Sequence, residues 1–317
     1  MKDTDQPNYQ STNDSNFWER KIIEELLFKN IKEQKSKRRW GIFFKTLGFG
    51  YLIGMTMLVL LRDEKITKDS NGEHTAMVRI EGEINKDQPA NAEEINKGLK
   101  NAFNHKQTKG VILKINSPGG SPVQARQVYN NIIRLRSEHP NIKIYAAIED
   151  LGTSAAYLIA SATDQIYSDE TSLVGSIGVI ISSFGFVDAL HKLGVERRVY
   201  AAGKNKAMLD PFSPKNHEQD VFINQQLDLT HQIFIKNVVD KRPQIIKNAN
   251  KDEIFSGKFW VGQAALELGL VDGFGDLQYV ATNIIKASEI RDFTLQPSLA
   301  DRLSSKFKLI LKNMIFF

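Results

Sequence analysis

The sequence contains no cysteine. This absence excludes disulfide bonds, thiolate metal sites and cysteine nucleophiles, but it does not indicate a cellular compartment. The sequence also has no phosphate-binding P-loop, no EF-hand calcium loop and no His-Glu-x-x-His zinc motif. The sequence has no internal repeat. The common sequence signatures of nucleotide, calcium and zinc sites are therefore missing.

The chain has only a small excess of positive charge. The formal net charge is +5 over 317 residues, and part of that excess lies in the basic run Lys35–Arg39. A nucleic-acid-binding surface would need a basic face interleaved with aromatic residues, and the sequence does not show one. A basic run next to an apolar segment is more typical of a membrane-topology signal.

Residues 1–39 are predicted to form a cytoplasmic region with two parts. Residues 1–16 are polar and are predicted to be disordered. From Phe17 onward, apolar residues recur at helical spacing and predict an amphipathic helix. These residues are Trp18, Ile22, Ile23, Leu26, Leu27 and Ile31. The apolar face of this helix is predicted either to lie on a membrane or to pack on a partner.

The apolar segment Trp40–Leu61 is predicted to be a single transmembrane helix. It is apolar all round, basic residues precede it, and it reaches the required length of about 20 residues if Lys45 extends its amine to the interface. A buried core helix is the alternative. The positive-inside rule keeps the N-terminus in the cytoplasm and places the rest of the chain on the other side of the membrane. A cleaved signal peptide is not indicated.

Residues 62–74 are predicted to be a linker, residues 75–292 a globular domain and residues 293–317 a basic, apolar tail. The tail either packs on the domain, lies on the membrane or sits in a neighbour's groove. Predicted strands alternate with predicted helices in the domain, which indicates an α/β fold with a mainly parallel sheet. The strands are 76–84, 111–116, 142–148, 165–168, 178–182 and 195–200; the helices are 92–103, 122–136, 154–162, 187–193, 216–239 and 261–268.

Two strand-to-helix turns carry the candidate chemistry. One turn ends in Gly119-Gly120 and the other ends in Ser154. Because successive parallel strands end at the same edge of a sheet, both turns should face one crevice. The dipole of the following helix favours negative charge beside Ser154, and glycines allow backbone N–H groups to approach an oxyanion. Taken alone, the two glycines are more often only a tight turn.

A serine nucleophile needs a base. None of the six histidines (His74, His105, His139, His191, His217 and His231) lies in a recognisable motif. Lys204 and Lys206 lie in a small-residue loop after a predicted strand, although any single lysine is by default a solvated charge. From the residues alone, both kinds of base remain open.

Five motifs occur in an order and at spacings that resemble bacterial signal peptide peptidase A. They are Asn116–Gly120, Gly152–Tyr157, Val174–Val179, Gly203–Lys206, and Phe255–Gly262 followed by Ala265 and Gly269–Asp272. This Ser-Lys peptidase family shares its fold with Clp protease and crotonase. The resemblance covers residues 76–290, and the membrane anchor before one domain is similar to the short form of the family.

The resemblance implies a role for each matching residue. Ser154 is implied as the nucleophile and Lys206 as the general base, with Lys204 as the fallback. Ser176 would position the lysine, and the backbone of Gly119 and Gly120 would bind the oxyanion. This sequence has Thr153 before the serine, where many relatives have a smaller residue, so a second hydroxyl lies nearby.

A lysine accepts a proton only when it is neutral, and burial favours the neutral amine. The resemblance implies no cofactor and no metal. It also implies a dome-shaped ring in which neighbouring subunits contribute serine and lysine to one site, and apolar substrates such as remnant signal peptides at the membrane. The alternatives are an acyl-CoA enzyme of the crotonase type and a non-catalytic membrane scaffold with the same fold.

Overall fold

A computed structural model describes residues 12–63, 72–247 and 251–295. The chain divides into two compact units, residues 1–70 and 71–317. Most of the predicted polar tail and of the predicted linker, and nearly all of the C-terminal tail, lie outside the described residues.

The described residues of the first unit form one helix, α1 (Thr12–Asp63). Both the predicted amphipathic helix and the predicted transmembrane segment belong to it. The prediction of disorder fails for residues 12–16, which form the start of this helix, since each residue added to an existing helix gains a backbone hydrogen bond. Within the described residues, none of the helices has an apolar stretch sufficient to cross a bilayer. The predicted membrane span over residues 40–61 is therefore not confirmed.

The second unit alternates strands and helices along the chain. The first half comprises β1 (His74–Glu81), α2 (Ala92–Asn104), β2 (Thr108–Ser117), α3 (Pro122–Glu138), β3 (Lys143–Thr153), α4 (Ala155–Ser161), β4 (Gln165–Ser168) and β5 (Leu173–Gly175). The second half comprises α5 (Val187–Lys192), α6 (His217–Lys241), a 3-10 turn (Pro243–Lys247), α7 (Lys251–Ile254), β6 (Phe259–Val261), α8 (Gly262–Glu267), β7 (Gly273–Phe274), α9 (Leu277–Tyr279) with the π-helical turn Val280–Ile285, and β8 (Ile290–Asp292).

The strands form one mainly parallel sheet in the order β6-β5-β3-β2-β1-β8. Outside this order, β4 pairs with β3, and β7 pairs with β4. The β5–β6 pair is antiparallel, and the other strand pairs are parallel. Strand β3 has two partners on the same side, since its first half pairs with β4 and its last three residues pair with β5. The predicted α/β fold with a mainly parallel sheet is confirmed for this unit.

The main core lies between one face of the sheet and helices α2, α3 and α4. Its buried side chains include Ile80, Leu113 and Ile115 from the strands and Leu99 and Ile132 from the helices. Two polar caps fix where the first helices start. Asn91 accepts a hydrogen bond from the backbone of α2, and Ser121 does so for α3, directly before a proline in the first turn. These caps set the first turn of α2 and of α3 after the loops that follow β1 and β2.

Two predicted strands are wrong. Residues 178–182 and 195–200 form no strand in the structure. Both are largely exposed and have no neighbouring strand in the single chain. Because a strand requires hydrogen bonds from a partner, alternating apolar residues by themselves do not create one. Sequence reasoning also missed four short strands, β5 to β8, of which β5 and β6 pair with each other.

Candidate active site

Ser154 lies at the junction of β3 and α4 with φ 53° and ψ −124°. A positive φ is uncommon for a residue with a Cβ atom and signals stored strain. Two contacts hold the junction in place. The Ser154 N–H donates to the Gly175 carbonyl at 2.8 Å, and Gly152 pairs with Ser117 on one side and with Val174 on the other. The surrounding sheet therefore imposes the strained turn that presents this serine.

The hydroxyl groups of Thr153 and Ser154 differ in their contacts. The Thr153 hydroxyl donates to the Pro118 carbonyl at 3.1 Å, and the residue is buried. The Ser154 hydroxyl is partly exposed and makes no hydrogen bond to the part of the chain that the structure describes. Thr153 thus ties the two turns together, and Ser154 presents the available nucleophile.

The glycine turn lies directly against Ser154. Gly119 has φ 100° and Gly120 has φ 144°, which are conformations that favour glycine. A Cβ atom on Gly119 would stand 2.7 Å from the Cβ of Ser154. A Cβ atom on Gly120 would stand 2.3 Å from the Ile84 carbonyl oxygen. Both positions therefore require glycine for space as well as for φ.

The two predicted oxyanion donors are not equivalent. The Gly119 N–H donates to the Ser117 hydroxyl at 3.2 Å. The Gly120 N–H has no acceptor among the described residues, and Gly120 lines the same cavity as Ser154. Ala155 is the first residue of α4, where backbone N–H groups have no intrahelical acceptor. Gly120 and Ala155 therefore offer the N–H groups best suited to an oxyanion.

Ser176 lines the cavity from the other side. It also has a positive φ of 52°, and its N–H donates to the Lys258 carbonyl at 2.7 Å. The carbonyl of the next residue, Ile177, lies 3.0 Å from Nε2 of His231 on α6. Helix α6 is thereby attached to the turn that carries Ser176, a contact that the sequence did not reveal.

The cavity in front of Ser154 has a volume of about 470 Å³. Its walls come from the start of α3, from α4, from α6 and from residues 176–180, and they are mostly apolar, as in Val123, Leu158 and Phe234. No Asp, Glu, Lys or His belongs to the residues that line it. An extended apolar peptide segment fits such a cavity, but the cavity contains no base of its own.

The two candidate lysines lie away from this cavity in the single chain. Lys204 is exposed, and its Nζ contacts both carboxylate oxygens of Glu218 at 2.9 and 3.0 Å. Lys206 is exposed, and its amine has no ion-pair partner among the described residues. Neither lysine lines the cavity that holds Ser154. The structure therefore brings Ser154, Ser176 and Gly120 together, and leaves Lys206 and Lys204 apart from them.

Sequence reasoning missed three polar residues in the cavity, one of which is Thr230 on α6. The other two are Arg126 on α3 and Asn237 on α6. Neither lies in a recognisable motif, and only the packing of α3 against α6 brings them into one cavity. For Arg126, the one indication in the sequence was its position in the predicted helix that follows the glycine turn.

Comparison with known proteins places this domain among peptidases. Residues 136–291 match the family model described as Peptidase family S49. The chain is 32% identical over 197 residues to a putative signal peptide peptidase SppA from Enterococcus faecium, which covers 62% of this chain and 56% of that protein. It is also 32% identical over 167 residues to a putative protease from Methanocaldococcus jannaschii, which covers 53% of this chain and 52% of that protein.

A further relative has a different name. The chain is 47% identical over 180 residues to a protein named Na(+)/H(+) antiporter NhaA from Brucella melitensis biotype 1, which covers 56% of this chain but only 24% of that protein. The chain therefore spans between about a quarter and just over half of the length of these relatives.

Proposed function

We propose that this chain is a serine endopeptidase of the S49 type, as its motifs predicted, with Ser154 as the nucleophile and Lys206 as the general base. The observation that carries the proposal is the geometry of Ser154. Its strained turn presents an unpaired hydroxyl to an apolar cavity, opposite the free N–H of Gly120. The antiporter name of the Brucella relative is not carried over, because the aligned stretch is about a quarter of that protein.

The proposed reaction proceeds through an acyl-enzyme. The neutral amine of Lys206 takes the proton of the Ser154 hydroxyl while the serine oxygen bonds to the peptide carbonyl carbon. The Gly120 N–H stabilises the resulting oxyanion. The lysine ammonium then gives its proton to the leaving amine as the C–N bond breaks. The same lysine activates the water that hydrolyses the ester, and no cofactor takes part.

We propose that a second copy of the chain brings the base to the nucleophile. Lys206 lies in a segment, residues 179–215, whose large apolar side chains are mostly exposed in the single chain. Ile180 is 85% exposed, Phe184 is 79% and Tyr200 is 92%. Monomeric proteins rarely leave so many apolar side chains in water. Covering this segment would also bury Lys206 and favour its neutral form.

Lys206 is preferred to Lys204 as the base. Glu218 engages the ammonium of Lys204 through both of its carboxylate oxygens. Lys206 has no such partner among the described residues, so moving it into a site breaks no ion pair. Ser176, which lines the cavity next to Ser154, is proposed to orient the incoming amine.

Membrane attachment and the substrate class complete the proposal. Large apolar side chains along the second half of α1 are more than half exposed, which suits a lipid environment. They include Trp40, Phe43, Phe44, Leu47, Leu52 and Ile53. The apolar cavity suits extended apolar peptides, such as remnant signal peptides, and we propose that they are cleaved on the extracytoplasmic side of the bacterial inner membrane.

The experiment is cleavage of a fluorogenic apolar peptide by the full chain in detergent. Ser154→Ala and Lys206→Ala should each lower kcat/KM by at least about a thousandfold, because each removes one half of the reacting pair. Thr153→Ser and Lys204→Ala are the matched controls, and each should retain most of the activity. Full activity in Ser154→Ala, or a fully active Lys206→Ala with an inactive Lys204→Ala, would contradict the assignment.

Mixing the two inactive variants tests where the pair assembles. If neighbouring subunits supply serine and lysine, mixed assemblies of Ser154→Ala and Lys206→Ala contain some intact sites and recover part of the activity. No recovery at any mixing ratio, after exchange of subunits has been verified by labelled chains, would show that each chain builds its own site.

A further inference from the structure

Arg126 differs from the other arginines of the second unit. Within residues 72–247 and 251–295, the other arginines are paired with carboxylates: Arg79, Arg134, Arg136, Arg197, Arg198, Arg242 and Arg291. Arg126 makes no hydrogen bond or ion pair to any described residue. Its side chain lines the cavity that also holds Ser154. Arg126 is thus an exposed, unpaired arginine at the wall of a mainly apolar cavity that has no acidic residue among its lining residues.

Asn237 supplies a second unsatisfied donor in the same cavity. The Nδ2 atom of Asn237 is buried and has no hydrogen-bond partner among the described residues. A buried donor without an acceptor costs free energy, so it commonly marks the place of a missing partner. Arg126 and Asn237 therefore both lack an acceptor, and both residues line the same cavity.

Tyr129 links the helix that carries Arg126 to the backbone of Asn237. It lies one helical turn after Arg126 on α3, and its hydroxyl donates to the Asn237 carbonyl at 2.8 Å. Burial, together with the charge of Asp240, raises the pKa of Tyr129 to about 12, so the hydroxyl keeps its proton at neutral pH. This hydrogen bond ties α3 to α6 at Asn237, and Asn237 and Arg126 both line the cavity.

We propose that Arg126 and Asn237 form a subsite that binds a carboxylate of the peptide substrate. This inference rests on the proposed function, because it supplies the site with a peptide. A guanidinium pairs with a carboxylate through two parallel hydrogen bonds, and such charge-assisted bonds are stronger than bonds to a neutral carbonyl. The carboxylate belongs either to an Asp or Glu side chain or to the free C-terminus of a peptide that has already been cut once.

The test compares peptides that differ only in charge. A parent apolar peptide carries Glu or Gln at each position in turn, and a second pair has the same sequence with a free or an amidated C-terminus. At one of these positions the wild type should cleave the carboxylate peptide with kcat/KM about tenfold above its neutral partner, mainly through a lower KM. The Glu series identifies a side-chain source, and the terminal pair identifies a C-terminal source.

Variants then connect the preference to the subsite. Arg126→Gln should abolish the preference, so that the charged and neutral peptides are cleaved with equal kcat/KM, and Arg126→Lys should retain part of it. Asn237→Asp, which has the same shape, should also remove the preference, because its carboxylate pairs with Arg126 and repels the substrate. Arg134→Gln is the control, since Arg134 lies on the same helix, pairs with Glu138 and does not line the cavity.

The outcomes separate the two proposals. Equal cleavage of the charged and neutral peptides by the wild type would overturn the carboxylate subsite and leave the peptidase intact, as would an unchanged preference in Arg126→Gln. No cleavage of any peptide by the wild type, together with no labelling of Ser154 by a serine-reactive probe, would instead overturn the proposed function.

Discussion

At the scale of single residues, the position of Gly119 shows how little space the nucleophile turn leaves. Its Cα faces Ser154 so closely that a methyl group would meet the Cβ of that serine and the backbone N of Ala155 within 2.9 Å. Ser154 is the proposed nucleophile, and the Ala155 N–H is a candidate oxyanion donor. A clash at this point is therefore expected to alter catalysis more than folding.

We predict that Gly119→Ala lowers kcat/KM by at least about a hundredfold, a loss comparable to that of one oxyanion donor. Gly82→Ala is the matched control, because Gly82 also has a positive φ, of 79°, but has open space where a Cβ would lie. Gly82→Ala should lose about 1–2 kcal/mol of stability through backbone strain alone, and Gly119→Ala should lose more, because its Cβ also clashes with Ser154 and with backbone atoms. Peptide cleavage and urea unfolding measure the two effects; equal activity in the two variants would show that close contact at Gly119 does not matter.

At the scale of secondary-structure elements, one buried arginine links the end of α6 to the loop before β7. Arg242 is 3% exposed and donates to both carboxylate oxygens of Asp272, at 2.9 and 3.0 Å, and to the Gly269 carbonyl. Asp272 in turn accepts the N–H of Ile166 on β4. The pair therefore joins a helix and a strand that lie far apart in sequence.

Arg242→Met should lower the free energy of unfolding by about 3–5 kcal/mol, because it removes the buried cation that pairs with the Asp272 carboxylate and donates to the Gly269 carbonyl. Lys236→Met is the control on the same helix, since it removes only the exposed pair with Asp240 and should cost about 0.5 kcal/mol or less. Urea unfolding of the full chain in detergent gives both values. Equal losses in the two variants would mean that Arg242 contributes no more than a surface charge.

At the scale of the whole molecule, residues 179–215 pack on themselves at only a few points. Phe186 stacks on Phe212 with ring centroids 5.5 Å apart, and Arg197 pairs with Asp210 beneath the same ring cluster. Helix α5 within this segment has no buried residue. These local contacts shape the segment but leave its large apolar side chains in water, which is the reason for placing a second copy against it.

Tyr200→Glu should therefore weaken self-association and lower peptidase activity in parallel, since a buried unpaired carboxylate is costly at an interface. Asn101→Glu is the control, because it makes the same change of charge at an exposed position of α2. Light scattering in detergent measures the assembly, and cleavage of the apolar peptide measures the activity. A Tyr200→Glu variant that stays assembled and fully active would place this segment outside the interface.

The sequence by itself determined the elements whose signals are local. Helices α2 and α3 start where Asn91 and Ser121 cap them, and β2 and β4 lie where apolar residues run between turns. The pairing of the serine turn with the glycine turn was also predictable, since parallel strands end at one edge of a sheet. The segments 178–182 and 195–200 were not, because a strand depends on a partner that the residues themselves do not encode.

Only the tertiary structure decided which groups of the site are free to act. The Thr153 hydroxyl donates to the Pro118 carbonyl, and the Gly119 N–H donates to the Ser117 hydroxyl. The Ser154 hydroxyl and the Gly120 N–H have no such partner among the described residues. It also brought Arg126 and Asn237 into one cavity and left Lys206 outside it. The physical reason is that hydrogen-bond partners and shared cavities arise from residues distant in sequence, whereas caps, turns and periodicity arise from neighbours.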